Sequence, residues 1–325
     1  MPTLTEADRL EVQVLIDNVT DSLSSTPAFV TREWPALVRK GMRRVAGGSL
    51  CCANHGLSLV IRVIRGEREH VVLFDAGPVD YAVEHNATRL GIDFGAIESV
   101  VLSHGHWDHG GGLLKAFELM RKAMPERKVP IYLHPGMFAE RGSRQPDGGV
   151  LPMAILPTPD ELAAAGATPV VTDAAQLLLD GMFYVSGEIP RVTTYETGLR
   201  NQVRRNADGD WEPDTLLMDE RFLAVAVKGK GVVVFSACSH AGVVNVLTHA
   251  RDCFPDQKLH AVMGGFHLSG DTEQCIPETV RDMADFNLGV IAPGHCTGWR
   301  AVNKLAQTYG EDTVVPLAVG KIFAF

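Results

Sequence analysis

The chain has 325 residues, a formal net charge of −9 and 46% hydrophobic residues. That length buries a sizeable core, and the balance of apolar and charged residues is that of a soluble globular protein. The acidic balance disfavours nucleic acid as a partner, because phosphate binding wants a basic surface, and no apolar run of about 18 residues predicts a membrane span.

Residues 10–18 alternate apolar and polar and predict a strand, whereas 19–50 give no clear pattern. Strands are predicted at 57–64 and 71–77. The polar turn at Gly66-Glu67 makes them a hairpin. A helix is predicted over 79–91, then a strand over 99–102. Next comes Ser103-His104-Gly105-His106-Trp107-Asp108-His109, three glycines, and a helix over 113–124.

Further on, strands are expected at 129–134, 176–179 and 182–186, with a short helix opening at Pro159. Residues 197–216 carry charge, Gly, Asn and Pro and read as a loop insertion, in which Arg200, Arg204 and Arg205 are expected to be solvated. A hairpin is predicted over 222–236, with a helix from Val243. Strands at 260–263 and 289–292 each precede a helix, near 276–287 and 300–309. No linker or internal repeat divides the chain, so one domain over 1–325 is expected. Strands followed by helices suggest a layered α/β sandwich, whose strand ends are where sites are built.

The sequence contains 12 His, and three of them fall within six positions of H-x-H-x-D-H. Imidazole and carboxylate together suit Zn, Mn or Fe. In an extended loop His104 and His106 point the same way. Asp108 and His109 are neighbours that should diverge towards different ions, with Trp107 facing away. One cluster supplies at most four ligands, so others must come from distant strand ends. His295 in Pro-Gly-His-Cys-Thr-Gly and His240 in Cys-Ser-His-Ala-Gly are the candidates. Cys238 offers either a thiolate ligand or a small buried apolar residue. Glu188 reads as a ligand, a base or a solvated loop residue. His267 in Gly-Gly-Phe-His-Leu is the best non-ligand site group, whereas a structural role suits His55 better. Asp75 reads equally as a hydrogen-bond acceptor for a ligating imidazole or as a turn former. The six cysteines form no C-x-x-C pair and no disulfide framework. The N-terminal octapeptide carries acids and no apolar core, so a cytoplasmic location is expected.

These motifs resemble the signature of the metallo-β-lactamase superfamily. Asn54-His-Gly-Leu-Ser58, Ser186-Gly-Glu-Ile-Pro-Arg191, Cys238-Ser-His-Ala-Gly242, Gly264-Gly-Phe-His-Leu268 and Pro293-Gly-His-Cys-Thr-Gly298 narrow the resemblance. They are similar to the dihydropterin–ribofuranosylaminobenzene phosphate synthase-like branch of metal-dependent hydrolases. The resemblance implies an αββα four-layer sandwich and a dinuclear centre of two divalent ions, zinc or else Mn or Fe. His104, His106, Asp108, His109, His240 and His295 are the implied metal ligands. Asp108, His267 and Glu188 are the expected catalytic groups, and Arg191 and His267 the expected substrate contacts. Two departures stand out. Glu188 occupies the place of a mid-chain His, and Ser236-Ala237-Cys238 the place of a bridging Asp.

The implied activity is hydrolysis of a small, phosphorylated or unphosphorylated substrate by metal-activated water. The alternatives are a pterin-type condensation with the metal as Lewis acid, and a metal-bound ligand-binding protein without turnover. A redox di-iron protein fits less well, because His106 stands where that branch has Glu. Oligomeric state is left open.

Overall fold

The computed structural model describes residues 3–325. Two large sheets face each other. The first has eight strands, in the order Val30–Thr31, Ile322–Ala324, Arg9–Ile16, Ser58–Arg65, Arg68–Phe74, Ser99–Val101, Val129–Leu133 and Ala167–Val171. The second has six, in the order Gln176–Leu178, Phe183–Val185, Leu223–Val227, Gly231–Ser236, Leu259–Gly265 and Val290–Gly294.

Alternation along the strands builds the layers. In Arg68–Phe74, Val72 and Phe74 face the second sheet, while Val71 and Leu73 face outward beneath helices. Phe74 meets Phe235 of the opposite sheet with ring centroids 6.4 Å apart. Helices Asp80–Leu90, Leu113–Ala123 and Pro159–Ala165 cover the outer face of the first sheet. Helices Val243–Cys253, Ile276–Asp282 and Trp299–Tyr309 cover the second. Three apolar clusters separated by two sheets make the expected αββα sandwich. Strands that are apolar on both faces are the sequence mark of that burial.

Helix ends follow local chemistry. Asp80–Leu90 buries Ala82, Val83, Asn86, Ala87 and Leu90 along one stripe and stops at Gly91, whose φ is 58°. The helix expected over 276–287 is α-helical only through Asp282, then tightens to a 3-10 turn that ends at left-handed Asn287.

One segment differs outright. Residues 197–216 contain strands Gln202–Arg205 and Trp211–Pro213. They join Arg141–Arg144 and Val150–Pro152 in a third, four-stranded sheet. Gln202 pairs with Ser143 and Val203 with Gly142, so the ladder partner lies about 60 residues away, beyond any local pattern. Arg204 and Arg205 are exposed on this sheet as expected for solvated groups, with Arg204 paired to Glu212 and Arg205 stacked on Trp211.

Among the described residues, no helix is long and apolar enough to cross a membrane. Phe235→Ala should cost about 3–5 kcal/mol of stability by opening a void between the sheets. Urea denaturation would read this as a lower midpoint with an unchanged slope.

Candidate metal centre

Strands Arg68–Phe74 and Ser99–Val101 run parallel, as do Gly231–Ser236, Leu259–Gly265 and Val290–Gly294. Their carboxyl ends therefore open on one edge of the sandwich, the usual place for a site in such sheets. Each releases a short loop there. Among the described residues, Asp75, Ser239, His267 and His295 are four of the eight non-glycine residues with positive φ, at 43–58°. Backbone held in this sparsely populated region clusters at functional sites.

The imidazoles converge. His104 Nε2 lies 3.0 Å from His106 Nδ1 and 3.2 Å from His240 Nε2. A second set sits beside it, with the His104 and His109 rings 4.4 Å apart. There Asp108 Oδ2 is 3.3 Å from His295 Nε2 and 3.7 Å from His109 Nε2.

Hydrogen bonds behind the rings decide which nitrogen faces inward. Ser103 donates its Oγ–H to Asp75, so His104 Nδ1–H must donate to Ser103 Oγ, leaving the Nε2 lone pair towards the cluster. His109 Nδ1–H donates to Asp75 at 2.7 Å. His295 Nδ1–H donates to Asn18 Oδ1, whose orientation is fixed because it also accepts from Gly56 N–H. All three rings thus present Nε2 inward, as metal-ligating histidines do. Asn18 Nδ2 faces His55 Nδ1, so His55 turns an N–H towards Asp108, 3.4 Å away. His55 is a donor to Asp108 and not a lone-pair ligand.

The two ends differ electrostatically. Burial drives His104, His106 and His240 down, His106 to about 3, so these three rings are neutral donors. Burial works the same way on His109, but Asp108 and Asp75 outweigh it and raise it to about 9. Asp108 is held low despite its burial, by His109 and His295. The carboxylate end is a place for positive charge. The buried His240 Nδ1, His267 Nδ1 and His295 Nε2 have no hydrogen-bond partner. Converging lone pairs, a carboxylate and unpaired ring nitrogens fit divalent cations.

Buried acids hold the loops. Glu220 accepts from His240 N–H and Ala241 N–H. Asp219 accepts from Gly105 N–H and from Arg141. A β-carbon at Gly105 would collide with the Arg141 guanidinium and the Met137 backbone, so only glycine fits between His104 and His106. The cluster opens on a cavity of about 570 Å³ lined by His55, Trp107, Asp108, Arg200, Gln202 and His267, among others.

A family model described as the metallo-beta-lactamase superfamily matches residues 55–174, which include the whole H-x-H-x-D-H run. The chain is 28% identical over 284 residues to the 7,8-dihydropterin-6-methyl-4-(beta-D-ribofuranosyl)-aminobenzene-5'-phosphate synthase of Methanocaldococcus jannaschii. That alignment covers 84% of this chain and 90% of the relative. Among solved structures, Tm1679, titled a metal-dependent hydrolase of the beta-lactamase superfamily, superposes with a TM-score of 0.69. It is 23% identical, with 96% of this chain and 98% of that one covered. YhfI from Bacillus subtilis, a metallo-beta-lactamase fold protein, gives 0.52 at 12% identity, covering 98% and 100%.

Residues 55–174 thus match the metallo-β-lactamase superfamily, and the whole chain shares its fold.

Against the expectations for that superfamily, the structure brings His104, His106, Asp108, His109, His240 and His295 together and places His267 on the cavity wall, its ring 4.6 Å from His240. Two expected site residues are elsewhere. Glu188, an expected catalytic group, is half exposed, faces His134 at 3.6 Å and does not line the cavity. The Arg191 guanidinium is spent on the Ile189, Leu216 and Leu217 carbonyls and does not line the cavity. Arg200 does, although it reads as a solvated loop residue. A helical turn over Trp107–Gly110 carries Asp108 and His109 inward to different neighbours, His109 to His104 and Cys238, Asp108 to His55 and His295. Trp107 does not pack away; it stacks on His55 at the cavity wall.

The sequence reading missed His55 and Asn18 at the cavity and the buried supports Arg141, Gln202, Asp219 and Glu220. None sits in a spacing pattern with the histidines; only the Asn54-His55-Gly56 motif marks one of them. Arg141 and Asp219 are 3% and 1% exposed. Asp219→Ala should cost about 3–5 kcal/mol, the cost of breaking a buried pair. A loss in equilibrium denaturation below about 1 kcal/mol, the range of a solvated pair, would contradict that role.

Proposed function

We propose that this protein is a metal-dependent hydrolase with a dinuclear divalent centre, acting on a small molecule held in the cavity. The observation that carries the reading is the pair of adjoining donor sets opening on that cavity, His104–His106–His240 and, around the Asp108 carboxylate, His295 at 3.3 Å and His109 at 3.7 Å. Histidine and carboxylate donors favour zinc, with manganese or iron as alternatives. When bound, such ions supply Lewis acidity and bring the pKa of a coordinated water towards neutrality.

The chain's own groups do the rest. Asp108 aligns the nucleophile, with His55 donating to the carboxylate from the solvent side. His267 reaches the cavity with an unpartnered Nδ1, positioned to hold or deliver a proton to a leaving group. Trp107 and Gln202 line the cavity, and the Gln202 amide lies 3.1 Å from His106 Nε2. Among the described residues lining the cavity, Arg200 is the only Lys or Arg, so an anionic or phosphorylated substrate would meet its guanidinium.

A second reading, condensation of a pterin-methyl group with an aromatic amine, is favoured by the synthase relative aligned along most of both chains. Assays of phosphodiester, lactone and thioester hydrolysis beside pterin condensation separate the two. Turnover in the condensation assay alone would replace the first reading.

Metal analysis of protein purified without added metal should find divalent ions, and His106→Ala should remove most of the metal along with the activity. Unchanged metal content would refute the ligand assignment. His267→Gln should keep the metal and lower kcat by about 10²–10⁴-fold, the range of a lost general acid or base. A raised KM with kcat unchanged would instead make His267 a binding group.

A further inference from the structure

Cys238 lies outside the six donors named so far. It is 2% exposed, yet it belongs to none of the three apolar clusters, although its neighbour Ala237 packs between the sheets. Its surroundings are ligand atoms. Sγ is 3.2 Å from His109 Nε2 and lies within 4.8 Å of donor atoms of His104 and His240 on one side and of His295 on the other. The His295 side chain is 1% exposed, and its Nε2 has no hydrogen-bond partner.

We propose that Cys238 is a bridging ligand, a thiolate shared by the two divalent ions. The proposal rests on the dinuclear reading above. A position shared by both donor sets is what a bridge requires, and Cys238 has it from the second sheet. Charge argues the same way. Two divalent ions would face five imidazoles and a single carboxylate, Asp108, and a thiolate supplies a second negative charge at their midpoint. Soft sulfur is also a good zinc donor. On ligation the thiol proton leaves to solvent, as metal binding to cysteine demands. Cys296 is positioned to support the bridge. Its Sγ–H points at the Cys238 sulfur at 3.4 Å, a second-layer contact that tunes a ligand without binding the ion.

Cobalt tests this directly. Metal-stripped protein, kept reduced, is titrated with Co(II) while bound cobalt is counted by atomic emission. The expected result is a near-ultraviolet sulfur-to-cobalt charge-transfer band. It should be lost in Cys238→Ser and Cys238→Asp and retained in Cys296→Ser. Cys238→Asp should still bind both ions, so the test survives if the serine variant fails to fold. A bridge also couples the two ions magnetically. The low-temperature EPR signal of the wild type should grow with the first equivalent and shrink with the second. Cobalt bound without the band, or a band that persists in Cys238→Asp, would overturn the thiolate. The band with additive EPR signals would overturn the bridge. Failure to bind cobalt at all would overturn the metal centre itself, and the bridge with it.

Discussion

The carboxylate of Asp75 holds the site together. It is fully buried and accepts from Ser103 N–H, Ser103 Oγ–H and His109 Nδ1–H. A buried carboxylate is costly unless its lone pairs are filled, and here three donors fill them. The same contacts fix the tautomers of His104 and His109 and join the end of one strand to the loop that follows its parallel neighbour. Asp75 adopts φ 58°, a conformation that Asp tolerates and that aims its side chain under the loop. The two roles open to it in the sequence, turn former and acceptor, are one role in the fold. The turn is what delivers the acceptor.

The second sheet completes what the first begins. His240, His267 and His295 each follow one of three adjacent parallel strands. Their loops are held by groups distant in the chain: Glu220 under His240, and Asp17 and Asn18 under His295. Neither sheet holds a complete donor set. The closure of each set reports that the two sheets have packed, through contacts such as Phe74 on Phe235. Binding free energy at such a site is therefore coupled to the intersheet core.

What was legible in the sequence follows from range. Strands apolar on both faces, helices with one apolar stripe and loops dense in histidine are all local patterns. They gave the four layers and brought His104, His106, Asp108, His109, His240 and His295 to one place. The third sheet was illegible because Gln202–Arg205 has a polar, loop-like composition and gains its partner only in three dimensions. Glu188 and Arg191 went astray for a related reason. Sequence places them after a strand but cannot say that this strand, Phe183–Val185, lies away from the three parallel strands that carry the site. Arg200 was overlooked because exposed loop arginines are common and nothing local distinguishes one that borders a cavity.

The small third sheet separates two tasks that the sandwich would otherwise combine. The donors stand on strand ends locked into the large sheets. Ser143 and Gln202 reach the cavity from the small one. Arg141 ties that sheet to the Gly105 carbonyl and, through Asp219, to the Gly105 N–H. One guanidinium is thus the hinge between wall and floor. Wall residues such as Ser143 can be exchanged, and the molecules admitted changed with them, while the floor keeps its geometry, provided that Arg141 and Gln202, which touches His106, both stay.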